Sequence, residues 1–311
     1  MLHVRLVVPR DLVPDVTAFL REAPEVTNVW TLPGGAVKPE GDLIACDVAK
    51  EEGTAVLERL RELGLEHRGS IAVETVDASV SDVALAAERS APGSPADAVV
   101  WEEVEGRLEE SATLSVSFLV LITIATMLAA IGIITDSIVL IIGAMVVGPE
   151  FGPLAGVSVA VSEGRPALAR RSLAALAVGF PAGVVAAALL TLALVAVGVA
   201  PDELRRTEQE LTLFISQPNW YSVIVAVLAG TAGMLALVSA KAGPLIGVLI
   251  SVTTIPSAAN IGVALAYGSW DEATRAAVHL GINVVAIVLS GLAVLWVAMR
   301  ARTGRRNATG P

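Results

Sequence analysis

The chain has 311 residues, 54% of them hydrophobic and 17% charged, with a mean hydropathy of +0.71. These values exclude an ordinary soluble domain and define a polytopic membrane protein. The net charge of −10 is unevenly placed, because residues 1–112 carry 22 acidic against 10 basic side chains, so the acid belongs to a soluble head.

The opening MLHVRLVVPRD reads as a short strand and turn, without the apolar core and cleavage site of a secretory signal, which keeps the head in the cytosol. From Leu2 to Asp77 the order is strand, helix, strand, strand, helix, strand. HVRLVV and VTNVWTL alternate, flanking a helix from Asp11 to Glu22 with Asp11 as its N-cap; the turn-rich PGGAVKPEG, the strand DLIACDVA, a helix from Glu51 to Leu63 and the strand SIAVETV come next. That order is the split βαβ unit of ferredoxin-like domains, and the head resembles small regulatory modules of the ACT type, which bind ligands or pair sheet edges. Cys46 is the single cysteine, which rules out an intrachain disulfide, and its place in an alternating run makes it a buried thiol. His3 and His67 lie far apart and give no metal-ligand spacing.

Residues 78–112 form a linker that contains the breaker run SAPGSPAD and ends in a charged helix, VVWEEVEGRLEESA. Glu102, Glu103, Glu105, Glu109 and Glu110 make a solvated face, with a cation-collecting vestibule as the alternative. Residues 113–299 then hold about six apolar spans, at 113–134, 137–163, 172–199, 221–240, 243–267 and 278–299. With the N-terminus inside, Arg107, Arg165, Arg170, Arg171, Lys241, Arg300, Arg302, Arg305 and Arg306 share one side, against Arg205, Arg206 and Arg275 on the other. The positive-inside rule therefore places both termini, including the basic tail 300–311, in the cytoplasm of a cell (plasma, or inner) membrane protein. Trp220 with Tyr221, Tyr267 with Trp270, and Trp296 fall at span ends as interfacial anchors, and His279 is expected at the interface too.

The second span is interrupted by GPEFGP, with Glu150 between Pro149 and Pro153. Ile142–Arg171 aligns without gaps onto Ile246–Arg275, with eight of thirty positions identical, so 113–199 and 221–299 read as two copies of a three-span unit. An odd number of spans forces the copies to cross in opposite directions, and each middle span carries proline, at Pro149 and Pro153 in one and Pro256 in the other. Proline removes a backbone donor and clashes with the carbonyl one turn back, freeing polar groups that hydrocarbon does not satisfy. The expected site is therefore formed by broken second and fifth spans near the midplane: Pro149, Glu150, Gly152 and Pro153 from one, Thr253, Thr254, Pro256, Ser257 and Asn260 from the other, with Asn283 nearby. Glu150 is a proton-titrating or cation-binding carboxylate with Asn260 or Asn283 as expected partners, or alternatively an oligomer-interface group. Ser251 and the neighbouring hydroxyls supply oxygens or bond the preceding turn. The breaks are alternatively plain packing kinks, and the glycine pairs Gly143 with Gly148 and Gly152 with Gly156 serve close helix approach. Asp136 and Ser137 read as the N-cap after the first span.

TDSIVLIIGAMVVGPEFGPLAG resembles the signature of the bacterial and archaeal hydrophobic-domain family known as domain of unknown function 389, and AGTAGMLALVSAKAGPLIGV, the Pro256 segment and INVVAI resemble its second half. The resemblance covers residues 113–299 and implies the fold and membrane topology but no substrate. Two positions depart from it: Gly148 stands where the family commonly has Ser, and Glu150 where it commonly has an apolar residue, which marks Glu150 as a local elaboration.

No phosphate-binding GxxxxGK[ST], zinc-protease HExxH or hydrolase GxSxG is present, so the chain reads as a non-enzyme without cofactor, metal or nucleic-acid partner. The expectation is an α-helical polytopic membrane protein of two inverted three-span repeats, with an N-terminal α+β ferredoxin-like cytosolic domain, that carries a small solute or ion across the bilayer. The alternative is a membrane-anchored sensor or scaffold whose head binds a ligand or partner. Small-residue faces and an exposed sheet edge make a homo-oligomer the expected state.

Overall fold

The computed structural model describes residues 1–76, 79–91, 101–201, 220–239 and 245–308; the side chains of 102, 103, 105, 107, 110, 245–253 and 301–308 are outside that set. The expectations for Asp77, Arg205, Arg206, Lys241, the PGSPAD of the breaker run and the side chains of Ser251 and Thr253 therefore lie outside the described residues. Two compact units are present, one of residues 1–105 with 238–240 and one of 106–237 with 241–311.

In the first unit, β1 (Leu2–Val8) is succeeded by α1 (Val13–Glu22), β2 (Val26–Val37), β3 (Glu40–Val48), a 3-10 turn, α2 (Gly53–Glu62), the single turn α3 (Leu65–Arg68) and β4 (Ser70–Thr75). The strands form one antiparallel sheet in the order β2-β3-β1-β4, the arrangement that a split βαβ pattern generates. Alternation in β1 buries Leu2, Val4, Leu6 and Val8 in one core with Val16 and Leu20 of α1 and Val56 and Leu60 of α2. Two local expectations change. Asp11 does not cap α1, which starts at Val13 with Leu12 at its N-cap; Asp11 accepts from Arg68 at 2.9 Å instead. PGGA is not a loop but part of a long β2, whose register shifts between Leu32 and Ala36 absorb the glycines; Gly34, at φ +64, donates its N–H to Asp42 at 2.8 Å. Within the expected linker, α4 (Asp82–Ser90), capped by Ser81, belongs to this unit: Ser90 Oγ donates to the Pro24 carbonyl and the N-terminal ammonium pairs with Glu88.

Cys46 is fully buried on β3, and burial, with the Asp47 charge adding to it, pushes its thiol up to about 12. In the unfolded chain the thiol ionises first, so the head loses stability as pH rises from the ordinary value of 9.0 through about 12, and none through this group below that window.

The second unit is helical. α5 (Trp101–Ser111) leads to α6 (Val116–Ile134), α7 (Ile138–Val147), α8 (Phe151–Glu163), α9 (Pro166–Ala196), α10 (Trp220–Val238), α11 (Leu245–Ala266) and α12 (Trp270–Ala308). Ser115 and Ser137 cap α6 and α7 through Phe118 N and Leu140 N, the second as the sequence predicts. α11 is the central element, packed against α6, α7, α9 and α12, while α8 packs on α9 and α12. Outward faces carry Val120, Ile124, Val185, Leu189, Leu228 and Val285, a surface suited to lipid rather than water. Trp220, Tyr221 and Trp270 are exposed at helix starts, and Arg300 lies 3.6 Å above the Trp296 ring.

The halves of this unit share a spacing of 104 residues. α6 and α10 are each 19 residues long and keep that spacing at both ends, as do the starts of α9 and α12. Gly164 (φ +66) and Gly268 (φ +70) end α8 and α11 in the same left-handed conformation, closed by Arg165 N to Ala160 O and Ser269 N to Ala264 O.

Of the glycine pairs read from the sequence, the structure separates packing from non-packing members. A Cβ on Gly152 would meet the Ser111 carbonyl at 2.6 Å and one on Gly156 would collide with Ser172 Oγ, whereas Gly143 faces open space. Gly152→Ala is expected to lower detergent-solubilised stability by about 1–3 kcal/mol through overpacking. Gly143→Ala, which stiffens an exposed helix position, leaves it unchanged or raises it; thermal unfolding of both variants checks this contrast. Cys46 is expected to resist alkylation at neutral pH in the folded protein and to react fully once the chain is unfolded, as mass spectrometry would read.

Candidate functional site

α7 and α8 meet at a 52° bend over Gly148, Pro149 and Glu150. Its cause is local: Pro149 has no N–H for the Met145 carbonyl, and Pro153 has none for the carbonyl of Pro149, so two helical bonds are missing in consecutive turns. Gly148 takes an extended ψ of 125°, and the chain re-enters a helix at Glu150, the N-cap residue of α8. The carboxyl group therefore sits where a helix N-terminus favours negative charge.

The expected break in the fifth span is absent: α11 runs through Pro256 as one helix from Leu245 to Ala266. A single proline deletes one bond, that of the residue 252 carbonyl, and no second proline or glycine compounds it as in GPEFGP. The site is thus one broken span set against one continuous, proline-bearing helix.

Glu150 is fully buried and accepts a 2.7 Å hydrogen bond from Thr254 Oγ1 of α11. Thr254 is the very residue that the internal alignment sets opposite Glu150, so the two equivalent positions touch each other. A described bond to the carboxyl group thus comes from a threonine. One turn further along α11, Ser257 lies 3.1 Å from His279 Nδ1 on α12. Thr254, Ser257 and Asn260, at three-residue spacing, line one face of α11, while His279 and Asn283 stand one turn apart on α12, all buried. Gly152, Pro153 and Pro256 are buried beside them, Pro149 is half-buried, and the side chain of Thr253 is outside the described residues. Ser158 ties α8 to α12 by donating to the Val288 carbonyl at 3.2 Å, where Gly291 leaves room for it.

His279 is the buried polar residue that sequence reasoning misplaced. It is 1% exposed rather than interfacial, because α12 begins at Trp270, two turns earlier than hydropathy indicates. Its signal was the four-residue spacing to Asn283, which puts both on one helix face.

Among the described residues, four helices are long and apolar enough to cross a membrane, with the bent α7–α8 pair beside them, which marks a polytopic membrane protein. Residues 145–289 match the family described as Domain of unknown function (DUF389), the family that the GAM run and INVVAI resemble. The chain is also similar to an uncharacterized protein of Methanocaldococcus jannaschii, 25% identical over 196 residues, which is 63% of this chain and 58% of that relative. It thus covers less than two thirds of the relative's length. No solved structure matches the chain.

Replacing Thr254 by Val removes the described donor to a buried carboxyl group and is expected to cost about 1–3 kcal/mol of stability. Thr231→Val, on α10, where the hydroxyl bonds only its own helix at Val227, is expected to be silent. Melting temperatures of the two purified variants decide the matter.

Proposed function

We propose that the protein is a non-enzymatic membrane carrier of a small solute or ion, built from two inverted three-span repeats that meet at Glu150 and Thr254. The observation that carries this reading is a fully buried carboxyl group at a helix break, bonded across the interface to its own repeat counterpart. A group so costly to bury is commonly functional when it lies at membrane depth, and a broken helix near the midplane exposes backbone polar groups to a bound solute.

Several features support inversion. The Arg165–Glu109 ion pair, at 2.5 Å, brings the end of α8 to the end of the bundle where α6 begins. Tyr267 Oη donates to the Pro201 carbonyl at 2.8 Å, bringing the end of α11 to the opposite end, where α9 finishes. Equivalent segments thus run in opposite directions, as alternating access about a fixed central site requires. Arg165, Arg170, Arg171 and Arg300 fall at the first end and Arg275 at the second, which favours a plasma-membrane protein with cytoplasmic termini. Homo-oligomerisation belongs to the same proposal.

A second reading, a sensor or scaffold, has one observation of its own. A cavity of about 590 Å³ in the head, lined by Arg61, Glu66, Ser70 and Thr75 among others, lies along the edge strand β4. The protein reconstituted in vesicles is expected to move protons, a monovalent cation or a small anion, and Glu150→Gln and Pro256→Ala to slow that flux about tenfold or more. Absence of flux for every species, with a metabolite raising the melting temperature of the head, would favour the sensor instead.

A further inference from the structure

Among the described residues of the membrane unit, two ionisable side chains are buried, Glu150 and His279, and both are held by the same helix. Thr254 and Ser257, one turn apart on α11, carry them at 2.7 and 3.1 Å. His279 Nε2 is enclosed and has no hydrogen-bond partner among the described residues. Other charges stand away from the pair. The segments α6, α7 and α11 contain no ionisable side chain; Glu163 closes the far end of α8; Arg170 and Arg171 lie in the first turns of α9; and Asp271, Glu272 and Arg275 lie in the first turns of α12. No group of three His, Cys, Asp or Glu gathers among the described residues to hold a metal.

Charge counting then decides what the pair holds. Without a mobile proton it is a carboxylate beside a neutral imidazole, at −1; with two it is a carboxylic acid beside an imidazolium, at +1; only with one proton is it neutral. A low-dielectric interior disfavours both charged states, so the pair as a unit retains one proton.

Depth gives the route. Ser257 lies about 13 Å from the end of α11, and His279 about 13 Å from the start of α12, while Thr254 and Glu150 lie about one turn deeper, close to the midplane. The residues that the repeat sets opposite Ser257, Asn260, His279 and Asn283 are Pro153, Gly156, Ala175 and Gly179; toward that other end the described buried polar side chains of α8 and α9 are the hydroxyls of Ser158 and Ser172, with no buried ionisable group, so the ionisable side leads through His279.

We infer that the ion served by this site is the proton, which reaches Glu150 by way of His279 from the end of the bundle where α11 finishes and α12 begins. This deepens, and rests on, the carrier reading above. A proton from water adds to His279 Nε2, and the imidazolium releases its Nδ1 proton to Ser257. The two hydroxyls, one turn apart on the same helix face, each accept a proton and pass on their own, and the Glu150 carboxylate becomes a carboxylic acid. The imidazole ends neutral, with its tautomer exchanged.

The test uses the full chain, purified, with protons as the probe. Infrared spectroscopy is expected to show one buried carboxylic-acid band that disappears in Glu150→Gln and whose amplitude follows bulk pH. After a pH jump, His279→Asn and Ser257→Ala are each expected to slow growth of that band about tenfold or more with its final amplitude kept. Two substitutions at different helices guard against loss of fold in one of them. A band that is missing, that does not respond to pH, or that grows at the wild-type rate in both variants overturns the proton route. Vesicles in which the band behaves as described yet no proton or solute crosses overturn the carrier reading and leave the proton site standing.

Discussion

The hydrogen bond from Thr254 to Glu150 is the constraint around which the membrane unit is arranged. A carboxyl group at this depth requires a donor, and the donor comes from α11, the helix that also touches α6, α7, α9 and α12. The bend in α7–α8 is what lets the group reach it: a straight span would carry Glu150 on a helical surface with its backbone bonds closed, whereas the double proline turns the start of α8 inward. Packing answers the same need. Gly152 and Gly156, immediately after the break, allow α8 to lie against Ser111, Ala112 and Ser172, and Gly262 lets α11 approach the backbone of α9 at Val184.

Around that point the unit divides the work between hydrophobic contact and a small polar seam. The core is mostly alanine, valine, isoleucine and leucine, close-packed through small residues, and it offers no ionic stabilisation of its own. The seam from Glu150 through Thr254, Ser257 and His279 is correspondingly demanding, since every unmet polar atom inside hydrocarbon is penalised in full. Such a seam is a poor means of holding helices together and a good means of making their arrangement depend on a bound charge, which is how fold and proposed carriage are connected.

Much of this was legible in the chain. Alternation located the strands of the head, and hydropathy located the apolar helices, because burial in a sheet and immersion in lipid leave simple periodic or continuous patterns. The register-shifted arm of β2 was not legible: PGGA has turn composition, and only pairing with β3 shows that its glycines are accommodated within a strand. The start of α12 escaped for a related reason, since WDEATR is polar yet helical, and this shifted His279 from an apparent rim position into the interior. Pro256 misled in the other direction, because proline marks the loss of one bond, and a helix opens there only if the next turn loses another. The partner of Glu150 was present in the repeat alignment all along, but alignment gives equivalence and only three dimensions give contact.

That equivalent positions touch bears on how such a chain can arise by duplication. Were both aligned positions glutamate, a glutamate would meet a glutamate, and two carboxylates at hydrogen-bonding distance cannot both ionise. Threonine is self-compatible, because one hydroxyl can donate while the other accepts. An acid at 150 is thus accommodated because its aligned counterpart, Thr254, is a donor and not a second acid.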